Sequence, residues 1–216
     1  MNYQDLFQCL KGVGKPDLSR LSLPISGTKY ALYPICCHSD KTDDAVISML
    51  TAARNANANS FLTFFTATAD RTRQWLVNSV ASDSSRILFA LKDIYSGRLY
   101  GYMGLAYGDT LGSRIEGDAI VRHSEQTEPG LMRTAFMQLV EWVRKDLGIQ
   151  DVWIRVLSDN PASGFYRRCS FHSISVSPLY EYRNSDGVIK ALTECPGGDS
   201  GLSSRTLIYM KYFPSE

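Results

Sequence analysis

The sequence predicts an α/β fold in which helices flank a central mixed, mostly antiparallel twisted sheet. Three observations carry that expectation. Residues 86–122 hold three strand-like runs, RILFALK, LYGYMGLAY and RIEGDAIVR, divided by short polar turns as in an antiparallel meander. Residues 131–147 place Met132, Phe136, Leu139, Val140, Val143 and Leu147 on one helical stripe, with Arg133, Glu141, Arg144 and Lys145 opposite. Strands and helices then alternate to the end, so the order β-α-α-β-β-β-α-β-α-β-β argues for one domain around a single sheet.

Taken in order, residues 1–27 contain Gly12, Gly14, Pro16, Pro24 and Gly27 and read as an irregular N-terminal arm with one helix at Tyr3–Leu10. The domain proper is expected over 28–216. Its first strand is the aromatic, β-branched run TKYALYPIC at 28–36. Val46, Met49, Leu50 and Ala53 repeat at helical spacing across 43–56. An apolar loop, Phe61-Leu62-Thr63-Phe64-Phe65, follows, and Thr68 with Asp70 caps a helix through Trp75, Leu76 and Val80. After the long helix, Gly148 is the stop signal. Val152, Ile154 and Val156 alternate in a strand, and Asn160-Pro161 opens a short helix that ends near Cys169. Strands at 171–182 and 206–213 are separated by a hydrophilic excursion, 184–203, long for a connection and a candidate to cover an acceptor or to mediate a homodimer.

Composition narrows the class. Hydrophobic residues make up 44% and charged residues 21%, ordinary globular values, and the net charge of +1 offers no field for nucleic acid or an anionic membrane. No run approaches the length of a membrane span, and the N-terminus has no signal-peptide pattern. Five cysteines without C-x-x-C spacing fit thiols in a reducing cytoplasm. The three histidines are far apart, so no metal is expected.

The stretch 128–171 gathers the chemistry. Pro129-Gly130 lead into the long helix, whose first N–H groups lack intrahelical partners and suit a pyrophosphate. Beyond the next strand come Asn160, Ala162, Tyr166 and Phe171. These residues resemble the GNAT superfamily of acyl-CoA-dependent N-acyltransferases over roughly 28–213. Its first motif, Gln/Arg-x-x-Gly-x-Gly/Ala, corresponds to Thr127-Glu128-Pro129-Gly130-Leu131-Met132, in which Gly130 survives. Its second, Asn-x-x-Ala-x-x-x-Tyr-x-x-x-Gly-Phe, corresponds to Asn160–Phe171, with Asn160 one residue nearer Tyr166 and Ser170 in the glycine position. Within the superfamily the chain resembles enzymes that acylate dTDP- or UDP-linked amino-deoxy sugars for surface polysaccharide. That likeness rests on Phe64-Phe65-Thr66-Ala67-Thr68, Ile115-Glu116-Gly117-Asp118, Pro129-Gly130-Leu131-Met132 and Ser158-Asp159-Asn160.

The resemblance implies coenzyme A, as acyl-CoA, for co-substrate. Gly130, Leu131 and Met132 would offer backbone amides to its pyrophosphate. Backbone groups around Ile120, Val121 and Arg122 and the Asn160 side chain would meet the pantetheine arm, and Tyr166 would protonate the departing thiolate. Attack by an amine also requires a base. Glu116 and Asp118 lie two apart on one strand face and are its candidates, the alternative being solvated carboxylates beside a bulge at Gly117. Arg168, with Arg167, is a candidate grip on a CoA phosphate. His38 and His123 are weaker candidates for the base, and Phe61–Phe65 with Arg71 and Arg73 either line an acceptor pocket or serve core and surface. Two competing readings are a protein or peptide N-terminal acetyltransferase and a non-catalytic acyl-CoA-binding module of the same fold.

Overall fold

The computed structural model describes residues 1–38, 40–109, 111–123, 127–197 and 200–214. The chain forms two compact units, Met1–Arg54 with Ala67–Val152, and Asn55–Thr66 with Trp153–Glu216.

The first unit opens with α1 (Tyr3–Leu10), capped by the Asn2 side chain, then β1 (Leu23–Pro24) and β2 (Tyr30–Pro34). The segment 1–27, expected as an irregular arm with one helix at Tyr3–Leu10, carries that helix and, beyond the expectation, the short strand β1. Next come α2 (Asp44–Ala56) and α3 (Ala69–Trp75), the latter capped by Thr68 Oγ1 and prolonged by a π turn, Leu76–Val80. The meander follows as β3 (Ile87–Asp93), β4 (Leu99–Ala106) and β5 (Arg114–Arg122), and then α4 (Leu131–Lys145). Strands β1 to β5 pair antiparallel, each with the next. Strand β3 is buried on both faces, from Ile87 to Leu91. One cover is aromatic: Trp142 of α4 stacks on the fully buried Phe7 of α1 at 6.2 Å and meets Phe89 of β3 edge-on at 5.8 Å.

The core of this unit also holds a cation. Lys11 is fully buried, and its Nζ donates to the carbonyls of Val80 and Asp83, each at 2.7 Å. These bonds satisfy acceptors that the end of the π turn would otherwise leave open. Burial pulls the Lys11 pKa down to about 8, against which the charges of Cys37 and Asp83 act.

The second unit contains β6 (Asp151–Leu157) from Trp153 onward, α5 (Ala162–Arg168), β7 (Phe171–Arg183), β8 (Ile189–Thr193) and β9 (Gly201–Tyr212). Strand β9 pairs antiparallel with β6 and with β7, and β7 with β8. The excursion at 184–203 is therefore partly strand: β7 runs to Arg183, β8 fills 189–193, and β9 begins at Gly201, five residues before the expected start at 206. Its polar composition reflects mostly solvent-facing strands, which bury Leu192 but few other side chains. Gly198, singled out in that excursion, lies outside the described residues. The apolar run at 61–65 is tied to β8 by Phe64 N–H to Lys190 O (2.8 Å) and Leu192 N–H to Leu62 O (2.7 Å). Leu62 and Phe64 pack on a core of Leu157, Leu179, Leu192 and Leu207, so two of its four large apolar side chains are committed to structure.

Candidate active site

In the first unit the start of α4 is built by a turn. Leu131 N–H bonds Glu128 O at 3.1 Å, with Pro129 and Gly130 between them. Gly130 sits at φ +86°, ψ −16°, the third position of a type II turn, where glycine carries no steric cost. Thr134 N–H then makes the first helical bond, to Gly130 O at 3.0 Å. The N–H groups of Leu131–Arg133 therefore precede the regular ladder and lie at the positive end of the helix dipole. A Cβ built on Gly130 would meet nothing within 4 Å. The Cα of Gly130 therefore faces open space, and Leu131, itself buried, anchors the turn to the protein.

Beside this turn in sequence stands the end of β5, and its register breaks. Tyr102 pairs with Val121 and Gly104 with Asp118, which leaves Ala119 and Ile120 opposite Met103 alone. Ala119 takes φ +52°, a left-handed conformation that costs a non-glycine residue on the order of 1 kcal/mol. Such a bulge bends the strand and takes a residue's backbone groups out of the ladder. The alternative reading puts a bulge at Gly117; the register break falls two residues later, at Ala119 and Ile120, immediately before Val121 and Arg122. Val121 is buried, whereas Arg122 is exposed.

Glu116 and Asp118 precede the bulge, so the two-residue alternation holds and both side chains share a face. Each meets an arginine. Arg114 Nη2 donates to Glu116 Oε1 at 2.8 Å, and Glu116 is buried. Arg86 grips Asp118 Oδ2 through Nε (3.1 Å) and Nη2 (2.9 Å), reaching across β4. Tyr102, buried on β4, has its phenol pKa pushed above the tyrosine range by burial first and by the charge of Asp118 second.

The second unit places Asn160 and Tyr166 at the two ends of one helical segment. Asn160 Oδ1 accepts from Ala162 N–H at 2.9 Å, so the side chain caps α5 as expected. Tyr166 is buried, its ring edge-on to Phe165 at 5.2 Å and to Phe171 at 6.4 Å. Arg167 and Arg168 are exposed. Ser170, where the family motif has glycine, adopts φ +63°. The backbone conformation that favours glycine is therefore kept without it, and Ser170→Gly should stabilise the protein by about 1 kcal/mol, read as a raised Tm.

Several positioning residues escaped the sequence reading. Arg205 holds Asp159 Oδ1 through Nε (3.0 Å) and Nη2 (2.8 Å), and bonds Asn59 O at 2.7 Å, which fixes the turn carrying Asn160. Ser158 N–H bonds Thr206 O at 2.9 Å in the same turn. Gly101 of β4 lies under β5 and α4: a Cβ there would fall 2.4 Å from Val121 O and 3.3 Å from Met132 Sδ. Of the lesser candidates, His38 serves a turn, its Nδ1 accepting from Asp40 N–H at 3.3 Å, and His123 extends the strand ladder through its N–H to Tyr100 O. Arg73 is paired with Asp44. Among the described residues no cluster of His, Cys, Asp or Glu is arranged to hold a metal ion, and no helix is long and apolar enough to cross a membrane.

Comparison with known proteins bears on this geometry. Residues 39–172 match the family model of the acetyltransferase (GNAT) domain. Among solved structures, a probable GNAT acetyltransferase from Chromobacterium violaceum superposes with a TM-score of 0.65 at 17% identity, over 88% of this chain and 84% of that one. A ribosomal L7/L12 alpha-N-protein acetyltransferase gives 0.62 at 12% identity, over 90% and 94% of the two chains. A spermidine/spermine N-acetyltransferase from Vibrio cholerae gives 0.56 at 15%, over 85% and 91%. Comparison with curated protein sequences returns no match.

Proposed function

The chain belongs to the GNAT acetyltransferase family, and from that premise we propose that it acylates the amine of a nucleotide-linked, dTDP- or UDP-bearing amino-deoxy sugar. The fold is the α/β fold of that family, a mostly antiparallel sheet flanked by helices, and the protein is an acyl-CoA-dependent N-acyltransferase. What the acceptor must supply is a neutral amine. Its lone pair attacks the thioester carbonyl, the C–S bond breaks, the amine loses a proton to a base, and the CoA thiolate takes one from an acid.

The residues divide these tasks as follows. The N–H groups of Gly130 and Met132, either side of the Leu131 N–H that closes the turn on Glu128 O, receive the diphosphate at the helix start, and Arg168 neutralises a CoA phosphate. Backbone groups of Ile120, Val121 and Arg122, at and past the bulge, and the amide of Asn160 hold the pantetheine arm. Glu116 or Asp118 accepts the amine proton, directly or through water, and Tyr166 donates to sulfur. The fit of coenzyme A to the chain rests on the helix-start N–H groups that precede the ladder at the exposed Gly130 turn and on the strained Ala119 that redirects β5.

One observation carries the choice of acceptor. The two carboxylates on β5 are each matched by a guanidinium, Glu116 by Arg114 and Asp118 by Arg86. A face so neutralised makes a poor trap for a polycation, which needs unopposed carboxylates, and this disfavours a polyamine acceptor relative to the single amine of an amino sugar. All five cysteines are free thiols, in keeping with a cytoplasmic enzyme.

The test is release of CoA thiol from acetyl-CoA and longer acyl-CoAs against dTDP- and UDP-amino sugars, spermidine and a peptide with a free N-terminus. Turnover is expected with an amino sugar. Turnover with the peptide or spermidine and with no sugar overturns this acceptor, and CoA binding without thiol release from any pair would leave an acyl-CoA-binding module.

A further inference from the structure

The turn that starts α4 is held by a residue nearly a hundred positions earlier. Tyr30 of β2 is buried, and its hydroxyl donates to Glu128 Oε1 at 2.5 Å. Glu128 is the first residue of the type II turn, the one whose carbonyl accepts from Leu131 N–H. The Tyr30 ring is itself fixed, edge-on to Tyr100 at 5.3 Å, with Lys29 Nζ 5.4 Å from its centroid. Lys29 is in turn paired with Asp93 at 3.1 Å. A rigid donor thus restrains the side chain at the head of an otherwise exposed turn.

The chemistry of Glu128 makes this restraint more than a brace. A carboxylate two residues before Gly130 puts negative charge where an anion is to bind, and unopposed it would repel a diphosphate. A short hydrogen bond from a phenol draws the charge onto Oε1 and fixes the side chain on the β2 side of the turn. Burial, and then this bond, hold the Tyr30 phenol protonated well above the usual tyrosine range, so the donor persists at neutral pH.

We propose that Tyr30 is a positioning residue for acyl-CoA: it clasps Glu128, sets the Pro129-Gly130 turn, and keeps the Glu128 charge away from the diphosphate. The inference rests on the reading that this turn binds the diphosphate. The ring packing of Tyr30 survives in Tyr30→Phe, which removes only the donor. That variant should raise the KM for acetyl-CoA and the Kd for CoA about tenfold and leave kcat at saturating acetyl-CoA within about twofold. Glu128→Gln keeps an acceptor for Tyr30 without the charge and should bind CoA at least as tightly as wild type. In the double variant Tyr30→Phe/Glu128→Gln no charge is left to repel, so CoA affinity should return to within about threefold of wild type.

Glu128→Ala, at an exposed position where folding is not at stake, separates the turn-setting role from the charge: it should bind CoA more weakly than Glu128→Gln. Acetylpantetheine, which lacks the diphosphate, is the control, and its turnover should be indifferent to Tyr30→Phe. A Tyr30→Phe protein that binds CoA like wild type, or a double variant no better than Tyr30→Phe, overturns the clasp. If wild type itself binds CoA no more tightly than pantetheine, the diphosphate reading of the turn falls, and the clasp with it.

Discussion

Tyr166→Phe is expected to lower kcat by about 100-fold at saturating acetyl-CoA, with the Kd for CoA within about threefold of wild type. Sulfur leaves as a thiolate, and a positioned donor lowers the barrier only while the C–S bond breaks; loss of that donor therefore appears in kcat and not in ground-state binding. Packing supplies the contrast. The Tyr166 ring is held by Phe165 and Phe171, contacts that Phe reproduces, so stability should shift by only about 1 kcal/mol, as for one hydrogen-bonding group. A folded Tyr166→Phe protein with unchanged kcat would remove the residue from the mechanism.

Gly101→Ala should cost about 1–3 kcal/mol of stability, as added bulk in a tight core does, and weaken CoA binding at least about tenfold. The added methyl would sit 2.4 Å from Val121 O and 3.2 Å from Arg122 Cα, backbone atoms that cannot rotate away. The strand must move, and it is the part of β5 just past the bulge, opposite Gly101 in the register. Met132 Sδ, 3.3 Å from the same methyl, is displaced as well, so both proposed amide rows shift together. Chemical denaturation and CoA titration read the two effects. A variant as stable as wild type would show that β5 yields to the added methyl without cost and would overturn this constraint.

How much of this was legible beforehand follows from the range of each interaction. The meander and the long helix carry their own periodicity, and their bounds were read to within two residues. Asn160 as a cap and Thr68 as another are local hydrogen bonds with a sequence signature, and both stand in the structure. The bulge at Ala119 has no such sign, since alanine rarely adopts positive φ and only the register against β4 reveals it. The burial of Lys11 has no local sign in the sequence, because its acceptors, Val80 and Asp83, lie about seventy positions away. Residues 184–203 were taken for a connection because their strands are polar, and strand alternation is visible only where one face is buried. Glu116 and Asp118 were found as a pair, but the arginines that oppose them were not, because Arg86 is brought to Asp118 only by the pairing of β3, β4 and β5.

The most direct test of the cofactor assignment is the backbone amide NMR spectrum titrated with CoA. The account predicts that the largest shifts at saturation fall on Gly130–Met132 and on Ile120–Arg122, with the Asn160 side-chain amide among them. Saturable CoA binding that leaves the amides of Gly130, Leu131 and Met132 unmoved would contradict it.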